Sequence, residues 1–376
     1  MGGTMDETAR RRFAPGWLRN LLLMLASTLA SLLVVEVALR LYRPDDLRLF
    51  PRFHESVRYG PYVLRRTRPD TRFEHSSVDG SWRFAINAQG FRDDRDYSHA
   101  KAEGSRRVLV LGDSQAMGYE NDLGGTLPVQ LAAELRRRGR PAEVLNSGVA
   151  GFGTAEELAF LENEGLRYQP DAVLLMFYRN DYSDNVRSGL FALSDGTLVP
   201  RSHQYAPGTA ILERINDIAA VRWLSQHSYT YSLFFNFVWN TAKKASIKAA
   251  NDSDERVVTP GAIQPGQTRL AIALVLRMER TLAARGIALL VIDVPEVPLS
   301  GSARDFRPSI EPEMLAELRA QGVRVLGSEE VLGLLRGRAT FHRPDGERHV
   351  IAQIHAVLAR AAAGEIERAL GNGTSR

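Results

Sequence analysis

Apolar residues of this 376-residue chain fall into two kinds of run. The first is a single unbroken one. NLLLMLASTLASLLVVEVAL, the 20 residues between Arg19 and Arg40, carries Glu36 as its only charge. At ~1.5 Å per residue, about 20 helical residues span the hydrocarbon core of a bilayer. Trp17 and Tyr42 flank the run where aromatic rings favour the interface. The pattern predicts one membrane helix. Thr28-Leu29-Ala30 loosely matches a signal cleavage site, but the apolar run continues well past it, as in an uncleaved anchor. A buried core helix is the plain alternative. Glu36 is costly in lipid but lies within a turn of the far end, within reach of the interface.

The second kind is short and recurrent. From residue 106, RVLVLG is followed by an amphipathic stretch Leu127 to Arg137, then AEVLNSGVAG, a helix-like Ala155 to Glu164, and DAVLLMFY. From Arg269 the rhythm resumes: a helix to Arg285, IALLVIDVP, a helix from Glu311 to Gln321, VRVLG, and a final helix after His349. Strands alternating with helices predict parallel pairing through right-handed crossovers, an α/β architecture. Residues 183 to about 265 interrupt it with aromatics such as Trp223, Tyr229, Phe234 and Phe235 and no clear strand–helix unit. That insertion could cap a site, form its own core, or, at Tyr229 to Trp239, lie on a membrane surface. Residues 43 to 105 read as a polar connector with strand-like pieces such as Ser81 to Ile86, ending in NAQGFRDDRDY, a turn followed by a solvated segment. The expected division is an amino terminus 1–19, an anchor 20–40, a connector and lead-in 41–105, and an α/β domain 106–370 with the insertion inside it.

Composition narrows the function classes. With 44% hydrophobic and 24% charged residues the chain is globular, and at a formal charge of +4 its Lys and Arg are scattered, without the basic arm or basic–aromatic interleaving of a nucleic-acid binder. There is no cysteine, which excludes disulfides, thiolate metal sites and a cysteine nucleophile. Arg10, Arg11, Arg12 and Arg19 precede the apolar run against Arg40, Arg43 and Arg48 after it. By a narrow margin this favours a cytoplasmic amino terminus with the globular part outside.

Four segments carry candidate chemistry, each at a predicted strand end or in an adjoining loop. RVLVLG runs into Asp113-Ser114 with Gly118 closing the turn, so a serine hydroxyl stands at the carboxyl end of a strand, where open α/β sheets place their ligands. In NSGVAGFG the glycines let a backbone N–H approach a substrate oxyanion. Asn180 follows the strand ending at Phe177 or Tyr178, with an amide able to donate to the same oxygen. RPDGERHVIAQIHAVLA sets Asp345 and His349, an acid and a base, on one short turn before a helix. Asp113 and Asp181 fit structural roles, ordering loops through backbone hydrogen bonds.

At these residues the chain resembles the SGNH, or GDSL, hydrolases over about 80 to 365, from the NAQGFRD lead-in and with the insertion only loosely covered. The resemblance implies a three-layer α/β/α sandwich with a flavodoxin-like parallel sheet, here preceded by one transmembrane helix. It implies Ser114 as nucleophile and first oxyanion donor through its own N–H, Gly151 and Asn180 as the other donors, His349 as general base, and Asp345 as the acid that orients it. His355 falls where the family often has a second, non-catalytic histidine; His342 is the rival base. The family usually separates acid and base by two residues, whereas Gly346, Glu347 and Arg348 intervene here. A bulge absorbs the extra residue, or Ser114 and His349 act as a dyad.

Neither a metal nor an organic cofactor is implied, and the sequence holds no P-loop and no clustered His/Asp ligand set. The expectation is a serine esterase in the cytoplasmic membrane with its catalytic domain on the periplasmic side. Its partners are then an acylated small molecule or glycan and, through the helix, the lipid bilayer, with no nucleic acid. Transfer of the acyl group to a sugar hydroxyl, making an O-acyltransferase, and a catalytically inactive glycan-binding or scaffold protein are the alternatives.

Overall fold

The computed structural model describes residues 16–42, 49, 53–77, 79–204, 214–235, 237–238, 263–296, 306–333 and 349–371. Helix α1 (Gly16–Tyr42) is apolar throughout its middle and buries no residue against the rest of the chain. It is long and apolar enough to cross a membrane.

Two antiparallel hairpins follow: β1 (His54–Tyr59) with β2 (Tyr62–Thr67), and β3 (Arg72–Ser77) with β4 (Gly80–Ala85). The stretch read as a connector thus builds structure of its own. Phe53, Phe73, Trp82, Phe84 and Ile86 form a cluster that also takes in Met117 and Tyr119, so the second hairpin packs directly under the loop that carries Ser114.

The α/β unit is then laid down in chain order: β5 (Arg107–Gly112), α2 (Ser114–Met117), α3 (Leu127–Arg137), β6 (Glu143–Asn146), α4 (Thr154–Asn163), β7 (Ala172–Phe177) and α5 (Asp181–Ser188). A small hairpin, β8 (Phe191–Ser194) with β9 (Thr197–Pro200), and the helix α6 (Ala219–His227) lie in the insertion. The unit closes with α7 (Pro265–Ala283), β10 (Ala288–Asp293), α8 (Pro312–Ala320), β11 (Arg324–Leu326), α9 (Ser328–Leu332) and α10 (Ala352–Gly371).

Five strands form one parallel sheet in the order β11-β10-β7-β5-β6. Counted along the chain this is the order 2-1-3-4-5 of flavodoxin-like sheets, and its direction reverses between β5 and β7. Each strand is apolar on both faces because helices cover both. Leu109, Leu111, Val173, Leu175 and Phe177 join the core under α4 and α7, while Val108, Val110, Leu174 and Met176 join the core under α3 and α10. The alternation along each strand is the period-2 pleat of a sheet buried on both sides.

Candidate active site

The crevice beyond the carboxyl ends of β5 and β7, at the reversal point, is where such sheets bind ligands, and the sequence blocks converge there. Ser114 opens α2 directly after β5. The Asp113 carboxylate caps that helix by accepting from the Gln115 N–H at 2.7 Å, which leaves the Ser114 N–H clear of the cap. Gly118 ends the helix in the left-handed region at φ +77, where a Cβ would also meet Thr126 Cγ2 at 2.4 Å. The turn therefore closes tightly only with glycine.

His349 reaches the same point from the other end of the chain. Its Nε2 lies 2.9 Å from Ser114 Oγ, a hydrogen bond that the serine hydroxyl donates when the imidazole is neutral with its proton on Nδ1. The ring is nearly buried, 6% exposed, and is seated almost entirely by residues that follow Ser114. Tyr119 stacks beside it at 5.3 Å between centroids. The Val350 N–H donates to Gln115 Oε1 at 3.1 Å, and Asn121 Nδ2 donates to the Val350 carbonyl at 2.9 Å. On the far side of the ring Glu120 Oε2 stands 3.7 Å from Nδ1, within ion-pair range though beyond a direct hydrogen bond. Glu120 is 1% exposed and holds φ +57, an uncommon conformation for a residue with a side chain.

Asp345 and His342 lie outside the described residues. His355, on α10, is fully buried, and burial pushes its imidazole down to about 3, so it is neutral at physiological pH.

The other predicted donors lie on the neighbouring loops. Gly151, after β6, holds φ +81, and a Cβ there would come within 2.5 Å of Arg65 Nη2, which itself donates to the Ala150 carbonyl. Gly148 approaches α2 so closely that a Cβ would meet the Met117 nitrogen at 2.5 Å. Asn180, after β7, already spends its amide protons: Nδ2 donates to Asp113 Oδ2 at 2.9 Å and to Asp184 Oδ2 at 3.1 Å. A further acceptor at this amide would have to take over one of these bonds. Asp181 holds the Tyr178 N–H at 2.9 Å, the loop-ordering role expected for it.

Behind Asn180 the carboxyl groups accumulate. Burial raises Asp113, holds Glu157 and Asp181 well above the carboxylate range, and lifts Asp184 to about 6 and Glu156 to about 8, each carboxylate's charge opposing its neighbours'.

Sequence reasoning missed the seat of the histidine. It also took the lead-in's charges as solvated, which Asp94, Arg95 and Asp96 are, whereas Arg92 and Asp93 are buried. Arg92 is 1% exposed: its guanidinium donates to the carbonyls of Met117, Gly118 and Asn121 and lies over the Phe84 ring at 3.7 Å. Burial lowers it to about 9. Five donors in a fixed fork suit a residue that ties several carbonyls of one loop together. The available signal was the Asn-x-x-Gly-x-Arg spacing. Asn87 Oδ1 accepts from the N–H groups of Gln89 and Phe91, and Gly90 turns at φ +84, aiming Arg92 inward.

No family model matches the chain. An arylesterase of Vibrio mimicus is 33% identical over 82 residues, which are 22% of this chain and 41% of the relative. The chain thus spans about two fifths of the length of that curated relative. Among solved structures, a lipolytic protein of the G-D-S-L family from Desulfitobacterium hafniense is similar at 10% identity, over 69% of this chain and 99% of that one, with a TM-score of 0.38. A lipase/acylhydrolase from Enterococcus faecalis is similar at 15% identity, over 69% and 96%, with a TM-score of 0.39. A two-domain esterase active on acetylated mannans is similar at 10% identity, over 70% and 50%, with a TM-score of 0.37. The resemblance of the sequence blocks to the SGNH, or GDSL, hydrolases is joined here by a sheet order of the kind that resemblance implies.

Proposed function

We propose that the protein is a serine esterase of the SGNH type that hydrolyses short acyl esters through an acyl-serine intermediate. The observation that carries this reading is the 2.9 Å contact between Ser114 Oγ and His349 Nε2 at the reversal point of the sheet. A serine hydroxyl is a weak nucleophile at neutral pH and needs a base in hydrogen-bond contact.

In this reading His349 Nε2 takes the proton as Ser114 Oγ attacks the ester carbonyl. The oxyanion is held by the N–H groups of Ser114 and Gly151 and by the Asn180 amide. The tetrahedral intermediate then collapses, its C–O bond to the alcohol breaks, and His349 returns the proton to the departing oxygen. Water, deprotonated by the same imidazole, cleaves the acyl-serine. Glu120 faces Nδ1 and steadies the imidazolium formed at each step, as a positioning residue beside or in place of Asp345.

The helix α1 supports a location for this chemistry. Read as an uncleaved span with the amino terminus in the cytoplasm, it sets the catalytic domain on the periplasmic side of the inner membrane. Acyl groups on an envelope glycan are then the substrate nearest at hand. The test is hydrolysis of p-nitrophenyl acetate by the full chain in detergent. Wild type is expected to turn over and Ser114→Ala to fall to background. Equal background rates for both would sink the assignment, and acylated glycan forming faster than free acid, once an acceptor is added, would reassign the activity to acyl transfer.

A further inference from the structure

Two features stand outside the active site: the charge inside an apolar helix, and the exposed aromatics of the insertion. They meet. Glu36 of α1 accepts from Ser228 Oγ at 2.9 Å, from the Tyr229 N–H at 3.2 Å and from the Thr230 N–H at 2.9 Å. It thereby satisfies the amino-terminal end of a second helical piece of the insertion, 229–235, which follows α6 after a single residue. Arg40, one turn on, pairs with Glu36 at 2.8 Å, donates to the His227 carbonyl, and lies 5.6 Å from the Tyr229 ring.

The position of this contact is informative. From Asn20 to Val35 the helix carries no charge, a run of about 24 Å at ~1.5 Å per residue. Glu36 therefore falls near the depth at which a hydrocarbon core of ~30 Å gives way to headgroups. The two helical pieces joined to it are turned inside out for a water-soluble protein. Their buried positions are Ser225 and Ser232, while Ile218 (54% exposed), Trp223 (60%), Leu233 (48%) and Phe234 (68%) face outward. A helix that packs on a core in water shows the reverse pattern.

We propose that residues 218–234 form a second membrane contact, held at the outer headgroup level by Glu36 and presenting Ile218, Trp223, Leu233 and Phe234 to lipid. This rests on the reading of α1 as a membrane span. The segment is also tied to the rest of the molecule: Arg68, just past β2, pairs with Asp217 at 2.6 Å, immediately before the first lipid-facing residue. The contact thus fixes the height of the catalytic domain over the bilayer and does not leave it swinging from a single helix. A lipid surface, and not a protein partner, is the occupant that the shared depth with α1 selects.

The absence of cysteine makes the test direct. Single-cysteine variants Leu233→Cys, Phe234→Cys and, as an aqueous control on α3, Arg137→Cys are spin-labelled in the full chain in lipid nanodiscs. Collision rates with oxygen and with a water-soluble nickel chelate are then compared. Labels at 233 and 234 are expected to meet oxygen far more often than nickel, and the label at 137 the reverse. Nickel access at 233 and 234 equal to that at 137 would overturn the proposal, as would shielding from both colliders, the mark of a protein cover. In Glu36→Leu, which leaves α1 apolar, the 234 label should gain nickel access several-fold; no change would remove Glu36 from the account. Alkaline carbonate extraction of the wild type separates the two readings. A protein released by carbonate has no spanning α1, whereas one retained with water-exposed labels at 233 and 234 keeps the anchor and loses only this contact.

Discussion

At the scale of single residues, the open question is which carboxylate serves His349. Asp345 lies outside the described residues, and Glu120 faces Nδ1 at 3.7 Å in a left-handed backbone conformation. A left-handed φ in a residue with a side chain costs on the order of 1 kcal/mol or more and persists where the surroundings demand it. Glu120→Gln is therefore expected to lower kcat roughly tenfold or more while leaving KM nearly unchanged, because the lost charge acts only when the imidazolium forms. Steady-state kinetics on an activated ester check this. If Glu120→Gln keeps the wild-type kcat while Asp345→Asn collapses it, Asp345 is the sole orienting acid.

At the scale of elements, the loop that carries Ser114 and the lead-in work as one piece. Arg92 binds three carbonyls around Gly118, and the loop it fixes supplies Gln115, Tyr119 and Asn121 to the histidine's seat. Removing the guanidinium takes a charged donor from three carbonyls, of which Gly118's keeps the Asn121 N–H at 3.2 Å, and each buried carbonyl left without a donor costs roughly 1–3 kcal/mol. Arg92→Ala should thus lower the melting temperature by about 5 °C or more, and Arg92→Lys, with one point charge for a planar fork, should recover only part of it. Thermal unfolding by circular dichroism measures both, and a change within about 1 °C would show that the loop holds itself. The strands were readable in the sequence because buried parallel strands are continuous apolar runs: RVLVLG and AVLLMF are strands over those same residues. The ends of those strands then located Ser114 and Asn180. Tyr119, Glu120 and Asn121 were not readable. They have no periodicity, their role depends on a histidine more than 200 residues away, and a charged residue such as Arg92 gives no sign of burial until its acceptors are known.

At the scale of the whole molecule, the site is built over a store of protons. Glu156, lifted to about 8, and Asp184, lifted to about 6, are joined by Asp113, Glu157 and Asp181, all raised by burial. In the unfolded chain these carboxyls release their protons near pH 4, while the folded state keeps them until the raised values are passed. Between those limits the folded state binds more protons than the unfolded one, so its stability falls as pH rises. The melting temperature is expected to be several degrees higher at pH 5 than at pH 8. Glu156→Gln tests the assignment. An amide keeps an acceptor for the Gly153 N–H that Glu156 now holds at 3.1 Å, yet cannot ionise, so the fall in melting temperature between pH 5 and pH 8 should shrink. A melting temperature that instead climbs from pH 5 to pH 8 in the wild type would mean that the carboxyls are ionised in the fold.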